Sequence, residues 1–341
     1  DPSSGDLYLN LRIFGQEPDQ LLRLDDACLY AESTPQSGCA GILLDLPALA
    51  WTPLFWAPDG SQAAFIDSNN TRLMLLDAAN GLWRTLLEPA PVTTQVAAWA
   101  PSGQWLAVTL QAGANGESSL VHLVSLDPSQ PGIAIPVAAD LGGTQLPIGF
   151  VGDRLLFLQY QDVPKGQVGQ RTDPALYQYD IASGVWSPLA LDLAPSSIVA
   201  YPVLLSGDSQ KMVFTSGEAN SLALYDFTSD EVQALPFAGE NPLWSPDREQ
   251  LALVQYVDGL YELHVVRLDG SQDLKVFEWA STPLAAWSPD GQYLALEVGP
   301  VGDEPGASIF IVSLATGQVR RLNLSGMLAG SFELRHPSYR P

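Results

Sequence analysis

An all-β fold, a single propeller of four-stranded antiparallel blades, is what the sequence predicts, and three observations carry that expectation. A Trp-x-Pro pentad recurs as Trp56-Ala57-Pro58-Asp59-Gly60, Trp99-Ala100-Pro101-Ser102-Gly103, Trp244-Ser245-Pro246-Asp247-Arg248 and Trp287-Ser288-Pro289-Asp290-Gly291. Trp56 and Trp99 stand 43 residues apart, as do Trp244 and Trp287, and that is the length of one four-stranded blade. The 29 glycines and 27 prolines are spread over the whole 341 residues, the punctuation of many short strands and tight turns.

Each pentad opens an apolar strand, at 63–66, 105–110, 251–255 and 293–298. Pro presets φ and Gly supplies a positive φ without strain, so the pentad is a tight turn. Asp59, Asp247 and Asp290 are therefore read as turn residues, and the tryptophans as filling between neighbouring blades. Two copies lack the Trp: Phe150-Val151-Gly152-Asp153 before 155–160, and Leu205-Ser206-Gly207-Asp208 before 212–215.

A second hairpin follows each first half. The pairs are 73–76 with 82–86, 120–126 with 133–137, 176–179 with 185–189, 221–225 with 231–235, 263–267 with 274–277, and 309–313 with 318–322. Asn80-Gly81, Ser183-Gly184, Asp269-Gly270 and Thr316-Gly317 are turns that short hairpins prefer. A seventh pair, 7–14 with 20–24, lies at the N-terminus and is read as the outer half of a blade. Its inner strand is expected from 331–335, with His336-Pro337 standing where Trp-Ser-Pro stands elsewhere. That closure removes a vulnerable sheet edge. Seven blades in one domain, 1–341, are favoured; six blades with 1–45 as a cap are the alternative.

Composition narrows the partners. The chain is 46% apolar and 16% charged, enough for a packed core. Its 38 acids against 15 bases leave a net charge of −23, which repels nucleic acid and anionic membrane surfaces. A protein partner with a basic or neutral surface fits that field. Cys28 and Cys39 lie close together in a Pro/Gly/Ser-containing stretch, so a disulfide in an oxidising, extracytoplasmic compartment is expected: periplasm, cell surface or secreted. The opening Asp1-Pro2-Ser3-Ser4-Gly5 reads as a trimmed mature chain, consistent with an upstream membrane anchor.

No catalytic residue, cofactor or metal site is identified. His122, His264 and His336 are far apart in sequence, and no His-Glu-x-x-His, Cys-x-x-Cys or phosphate-cradling Gly loop occurs. The acids are plentiful enough to leave a carboxylate pair for glycoside hydrolysis open. Function in a propeller sits on loops. Three loops exceed what a blade needs: 111–119; 161–174 with Asp162, Lys165, Arg171 and Asp173; and 299–307 with Asp303 and Glu304. Topology is expected to bring them to one face with 217–220 and Asp258. Those seven named residues are the candidate binding face.

Trp-Ser-Pro-Asp-Gly followed by a Leu-Ala strand resembles the repeat of the TolB-like propellers, a WD40-like group also described by its PD40 repeat. The likeness covers roughly 50–325. It implies the fold, and by the example of TolB a periplasmic partner-binding role, without the N-terminal α/β domain of that protein. Prolyl oligopeptidase-type enzymes join a similar propeller to a hydrolase domain, but no Gly-x-Ser-x-Gly occurs here. The functional expectation is a non-catalytic extracytoplasmic binding, scaffolding or sensor module. A hydrolase or lyase acting on a sugar or peptide in the central channel is the alternative, and an accessory domain of a larger anchored protein is a third.

Overall fold

The computed structural model describes residues 6–13, 20–24, 42–45, 54–66, 72–88, 92–112, 118–127, 129, 134–160, 174–194, 203–216, 221–281, 283–299, 308–322 and 332–339. Among them are 28 strands and no helix. From residue 54 onward they group in fours, each in chain order. The first group is β4 (Phe55–Trp56), β5 (Gln62–Ile66), β6 (Leu73–Asp77) and β7 (Trp83–Leu87). The next is β8 (Val92–Trp99), β9 (Trp105–Ala112), β10 (Ser118–Ser125) and β11 (Ala134–Pro136). Then come β12 (Thr144–Val151), β13 (Arg154–Tyr160), β14 (Ala175–Asp180) and β15 (Val185–Leu189). A single parallel bridge, Ser119 to Thr144, joins these two groups into one sheet. Three more groups follow. They are β16 (Val203–Leu205), β17 (Lys211–Thr215), β18 (Ser221–Asp226) and β19 (Glu231–Ala238); β20 (Glu240–Trp244), β21 (Gln250–Val257), β22 (Leu260–Arg267) and β23 (Asp273–Trp279); and β24 (Leu284–Trp287), β25 (Tyr293–Val298), β26 (Ser308–Ser313) and β27 (Val319–Arg321).

The remaining sheet joins the two ends of the chain. β1 (Leu7–Ile13), β2 (Gln20–Leu24) and β3 (Ile42–Asp45) pair with β28 (Phe332–Tyr339) in the order β28-β1-β2-β3. This corrects the sequence reading in two ways. The pair 7–14 and 20–24 is the middle of its sheet rather than the outer half, because Ile42–Asp45 adds a fourth strand. The C-terminal strand also does not stop at Arg335 for a turn; it runs through His336-Pro337 to Tyr339. A register shift between Tyr8 and Asn10 lies opposite that stretch. Pro has no N–H to give a ladder, so it is tolerated on an edge strand or beside a bulge, and here it has both.

In three copies the turn is held by a serine that the Trp-x-Pro reading overlooked; Ala57 and Ala100 take its place in two others. Ser245 Oγ donates to Asp247 Oδ1 at 2.5 Å and accepts from the Gln250 N–H at 3.0 Å, while the Glu249 N–H donates to Asp247 Oδ1 at 3.0 Å. Ser288 repeats this with Asp290 (2.6 Å), Tyr293 N–H (2.9 Å) and Gln292 N–H (3.0 Å). Ser206, in a copy without Trp or Pro, does the same with Asp208 (2.6 Å), Lys211 N–H (3.0 Å) and Gln210 N–H (3.1 Å). The aspartates are turn residues, as expected. The Ser-x-Asp pair satisfies backbone donors that would otherwise face solvent beside a buried strand.

Contacts divide the chain into two compact units: 1–69, 75–83 and 243–341 in one, and 70–74 and 84–242 in the other. In the first, Leu7, Leu9, Leu22 and Leu24 pack on Ala295, Ile309 and Ile311, so the terminal sheet seats on the sheet of β24–β27. Trp287 fills the next interface with Ala252, Val254, Leu263 and Leu296, and its indole Nε1 donates to the Leu243 carbonyl at 3.2 Å. Trp56 meets Tyr8 edge-on at 4.8 Å. In these two places the repeated Trp sits between sheets, as read from the sequence.

The second unit is packed the same way. Ala107, Val121 and Leu123 meet Phe150, Leu155 and Phe157, and Leu146, Leu156 and Leu158 meet Met212, Phe214 and Ala223. A buried polar staple reinforces the first of these. Gln145, fully buried, accepts from the Val121 N–H at 3.1 Å and donates to the Ala138 carbonyl at 2.8 Å; its own carbonyl accepts from Thr109 Oγ1 at 2.8 Å. A buried amide is tolerated because its donors and acceptors are matched.

Candidate functional site

Eleven large apolar side chains are exposed among the described residues, and their distribution locates the site. Seven repeat with the blades at the start of a fourth strand: Leu82 and Trp83 at β7, Ile135 at β11, Val185 at β15, Val232 at β19, Leu274 at β23 and Val319 at β27. No strand lies beyond the fourth, so this exposure is a property of the repeat. The other four do not repeat. Tyr256, Val257 and Leu260 form the tip of the β21–β22 hairpin, and Leu284 opens β24.

In three other sheets the second strand ends on a buried residue: Ile66, Tyr160 and Val298 are each at most 1% exposed. β21 instead continues to Val257, with Tyr256 66% exposed. Asp258 and Gly259 turn the chain with φ of 49° and 90°. Two positive φ values give the tight turn whose twist matches antiparallel strands, and Asp and Gly are residues that tolerate them. Tyr256 lies opposite Tyr261, and Tyr261 lies opposite Trp279 on the next strand. The Tyr256 and Tyr261 rings are 4.9 Å apart and tilted. Trp279 is held behind them by Phe277 and Phe310, at 5.8 Å from each. One face of the hairpin thus carries an aromatic row that is anchored at one end and open at the other.

The opposite face is ionic. Lys275 Nζ donates to Glu262 Oε1 and to Glu278 Oε2, both at 2.7 Å. Glu262 Oε2 is 3.1 Å from His264 Nε2, and His264 Nδ1 is 2.6 Å from Asp273 Oδ1. The hydrogen bond from Lys275, and then that from His264, holds the Glu262 carboxyl below its ordinary range. Glu262 and Glu278 in turn raise the Lys275 ammonium. The exposed Lys275 pairs add little stability, but they occupy the hairpin's lysine with acids. His122, by contrast, is a packing residue: burial lowers its pKa, and Nδ1 sits 3.0 Å from the Leu120 carbonyl.

Of the residues singled out from the sequence, Asp258 is at this tip. Asp162, Lys165, Arg171, Asp173, Asp303, Glu304, Cys28 and Cys39 lie outside the described residues. The segments that hold the first six join a second to a third strand, as Asp258-Gly259 does. Sequence reasoning missed Tyr256, Val257, Leu260, Tyr261 and Trp279. It weighed loop length, and this connection is the shortest of its kind; the available signal was an Asp-Gly turn bracketed by tyrosines. Among the described residues no group of three or more His, Cys, Asp or Glu is placed to hold a metal ion.

No family model and no curated protein sequence matches the chain. Solved structures do. TolB from Acinetobacter baumannii is 17% identical, with a TM-score of 0.53 over 100% of this chain and 68% of that one. An oligogalacturonate lyase from Vibrio parahaemolyticus is 12% identical, with a TM-score of 0.63 over 94% of this chain and 86% of that one. The Swd1 β-propeller domain of Myceliophteria thermophila is 12% identical, with a TM-score of 0.52 over 80% of this chain and 86% of that one. At these identities a likeness carries architecture and not activity. With its four-stranded antiparallel sheets repeated in chain order, the chain has the β-propeller fold that TolB also has.

Proposed function

We propose that the chain is a closed seven-bladed propeller that serves as a non-catalytic, extracytoplasmic binding module, engaging a protein partner at the end of the blades where second strands turn into third. The observation that carries this reading is the aromatic tip at Tyr256 to Tyr261, the exposed apolar cluster that the repeat does not require. Exposed aromatics ringed by polar groups are the usual anchors of protein interfaces. The long connections bearing Asp162, Lys165, Arg171, Asp173, Asp303 and Glu304 likewise join a second strand to a third and are proposed as further contacts for a partner.

A photo-crosslinking residue at Tyr256, compared with the same residue at Val185 in the native host, tests the reading. Both positions are exposed, but only the first belongs to the non-repeating cluster. A discrete adduct from 256 and none from 185 is expected. Equal labelling at both, or none at 256, contradicts it.

The extracytoplasmic assignment rests on Cys28 and Cys39. Natively exported protein, alkylated without reductant, should take up no label and be two mass units lighter than its reduced form. Two alkylated thiols would remove both the bridge and its support for the compartment.

A further inference from the structure

We infer that the β21–β22 tip reads an arginine-bearing, apolar segment of its partner, an inference that rests on the binding-module reading above. The open end of the aromatic row is Tyr256, 66% exposed, and the tyrosine next to it fixes its tilt. A guanidinium is the side chain best matched to such a face, because the ring quadrupole attracts it and its weak hydration makes the contact inexpensive.

The local charge selects the same group. Residues 254–281 hold five acids, Asp258, Glu262, Asp269, Asp273 and Glu278, against two permanent bases, Arg267 and Lys275. Both bases are already engaged: Arg267 with Glu249 at 2.6 Å, and Lys275 with Glu262 and Glu278. Asp258, two residues from Tyr256 and at the apex of the turn, belongs to no ion pair among the described residues. A cation over Tyr256 therefore meets an unneutralised carboxylate, and Val257 and Leu260 offer apolar contact beside it. A net charge of −23 steers a cationic segment inward and an anionic one away.

The probe is a blocked peptide of alternating arginine and leucine, titrated calorimetrically into the full chain at low salt. Controls are the lysine and glutamate versions of the peptide, and a neutral hexasaccharide. The arginine peptide is expected to bind more tightly than the lysine one, and the glutamate peptide and the sugar not at all. Tyr256→Leu keeps the apolar area but removes the π face, and should weaken binding about two- to fivefold. Asp258→Asn keeps a residue that tolerates positive φ, and should weaken binding while flattening its salt dependence. Unchanged melting temperatures show that both variants fold. Equal affinity across parent and variants, no preference for arginine over lysine, or binding of the sugar in place of the peptide overturns the inference. An adduct at residue 256 together with any of those results leaves the binding-module reading standing and this inference refuted; the absence of both removes the two together.

Discussion

A chain that stops at Leu322, and so lacks β28, is expected to lose its cooperative fold or to melt about 5–15 °C below the parent. The reason lies in what the missing strand pairs with. β1 is hydrogen-bonded to β28 along its length, from Leu7 opposite Tyr339 to Ile13 opposite Phe332. Leu7, Tyr8 and Leu9 are at most 2% exposed, and Leu7 and Leu9 are part of the core shared with β25 and β26. Uncovering even half of that apolar area costs roughly 3–5 kcal/mol, and the freed edge of β1 becomes a template for pairing between molecules. Size-exclusion chromatography should therefore show oligomers. A synthetic peptide of residues 329–341, added in trans, should restore the monomer and raise the melting temperature. A truncated chain that stays monomeric and melts with the parent would mean that β28 contributes nothing to the terminal sheet.

Two adjacent glycines give the second large effect. Gly142 and Gly143 both adopt φ of 68°, but their surroundings differ. A Cβ on Gly142 would meet nothing within 4 Å, whereas one on Gly143 would stand 2.3 Å from the backbone carbonyl oxygen of Tyr160 and 2.7 Å from Gln159 Nε2. Gly142→Ala should cost only the left-handed backbone penalty, about 1–2 kcal/mol. Gly143→Ala carries that penalty and a clash with backbone that cannot swing aside, so a loss beyond about 4 kcal/mol is expected. The site allows no relief, because Thr144 pairs with Tyr160 directly afterwards and the Gly143 carbonyl accepts from the Ser119 N–H at 3.4 Å. Parallel denaturant melts decide the matter. Equal losses for the two variants would show that the close approach at Gly143 is not present in solution.

The parts of the fold that were legible in the sequence are those where one local motif does two jobs. Trp-Ser-Pro-Asp-Gly writes both a turn and an interface residue, so its spacing reveals the blade, and the strands that follow it fall where the apolar runs place them. The serine of that motif was invisible as a constraint, because beyond the aspartate two residues on its partners are backbone groups whose position depends on the turn already being made. The terminal sheet was harder still. Ile42–Asp45 holds only three apolar residues before its aspartate and is set apart from β2 by residues 25–41, and its pairing with β2 is a long-range choice that no local signal announces. His336-Pro337 looked like the start of a turn because proline usually ends a strand; the bulge beside Tyr8 makes room for it instead.

The candidate site was legible only at Asp258. Long loops draw attention by length, whereas the hairpin tip departs from its siblings by exposure, and exposure depends on what the neighbouring sheet covers. Tyr160 ends one second strand and Tyr256 stands one residue before the end of another, yet the first is fully buried and the second exposed. Only the packed structure separates them.

Amide hydrogen exchange of the native chain tests most directly the claim that the two termini build one blade of a closed propeller. Amides of Leu7 to Ile13 are predicted to exchange as slowly as those of Tyr293 to Val298 in the middle of a neighbouring sheet, and removing 329–341 should release them together. Rapid exchange across 7–24 in the intact chain, with 293–298 still protected, would contradict the account and leave six blades with an N-terminal cap.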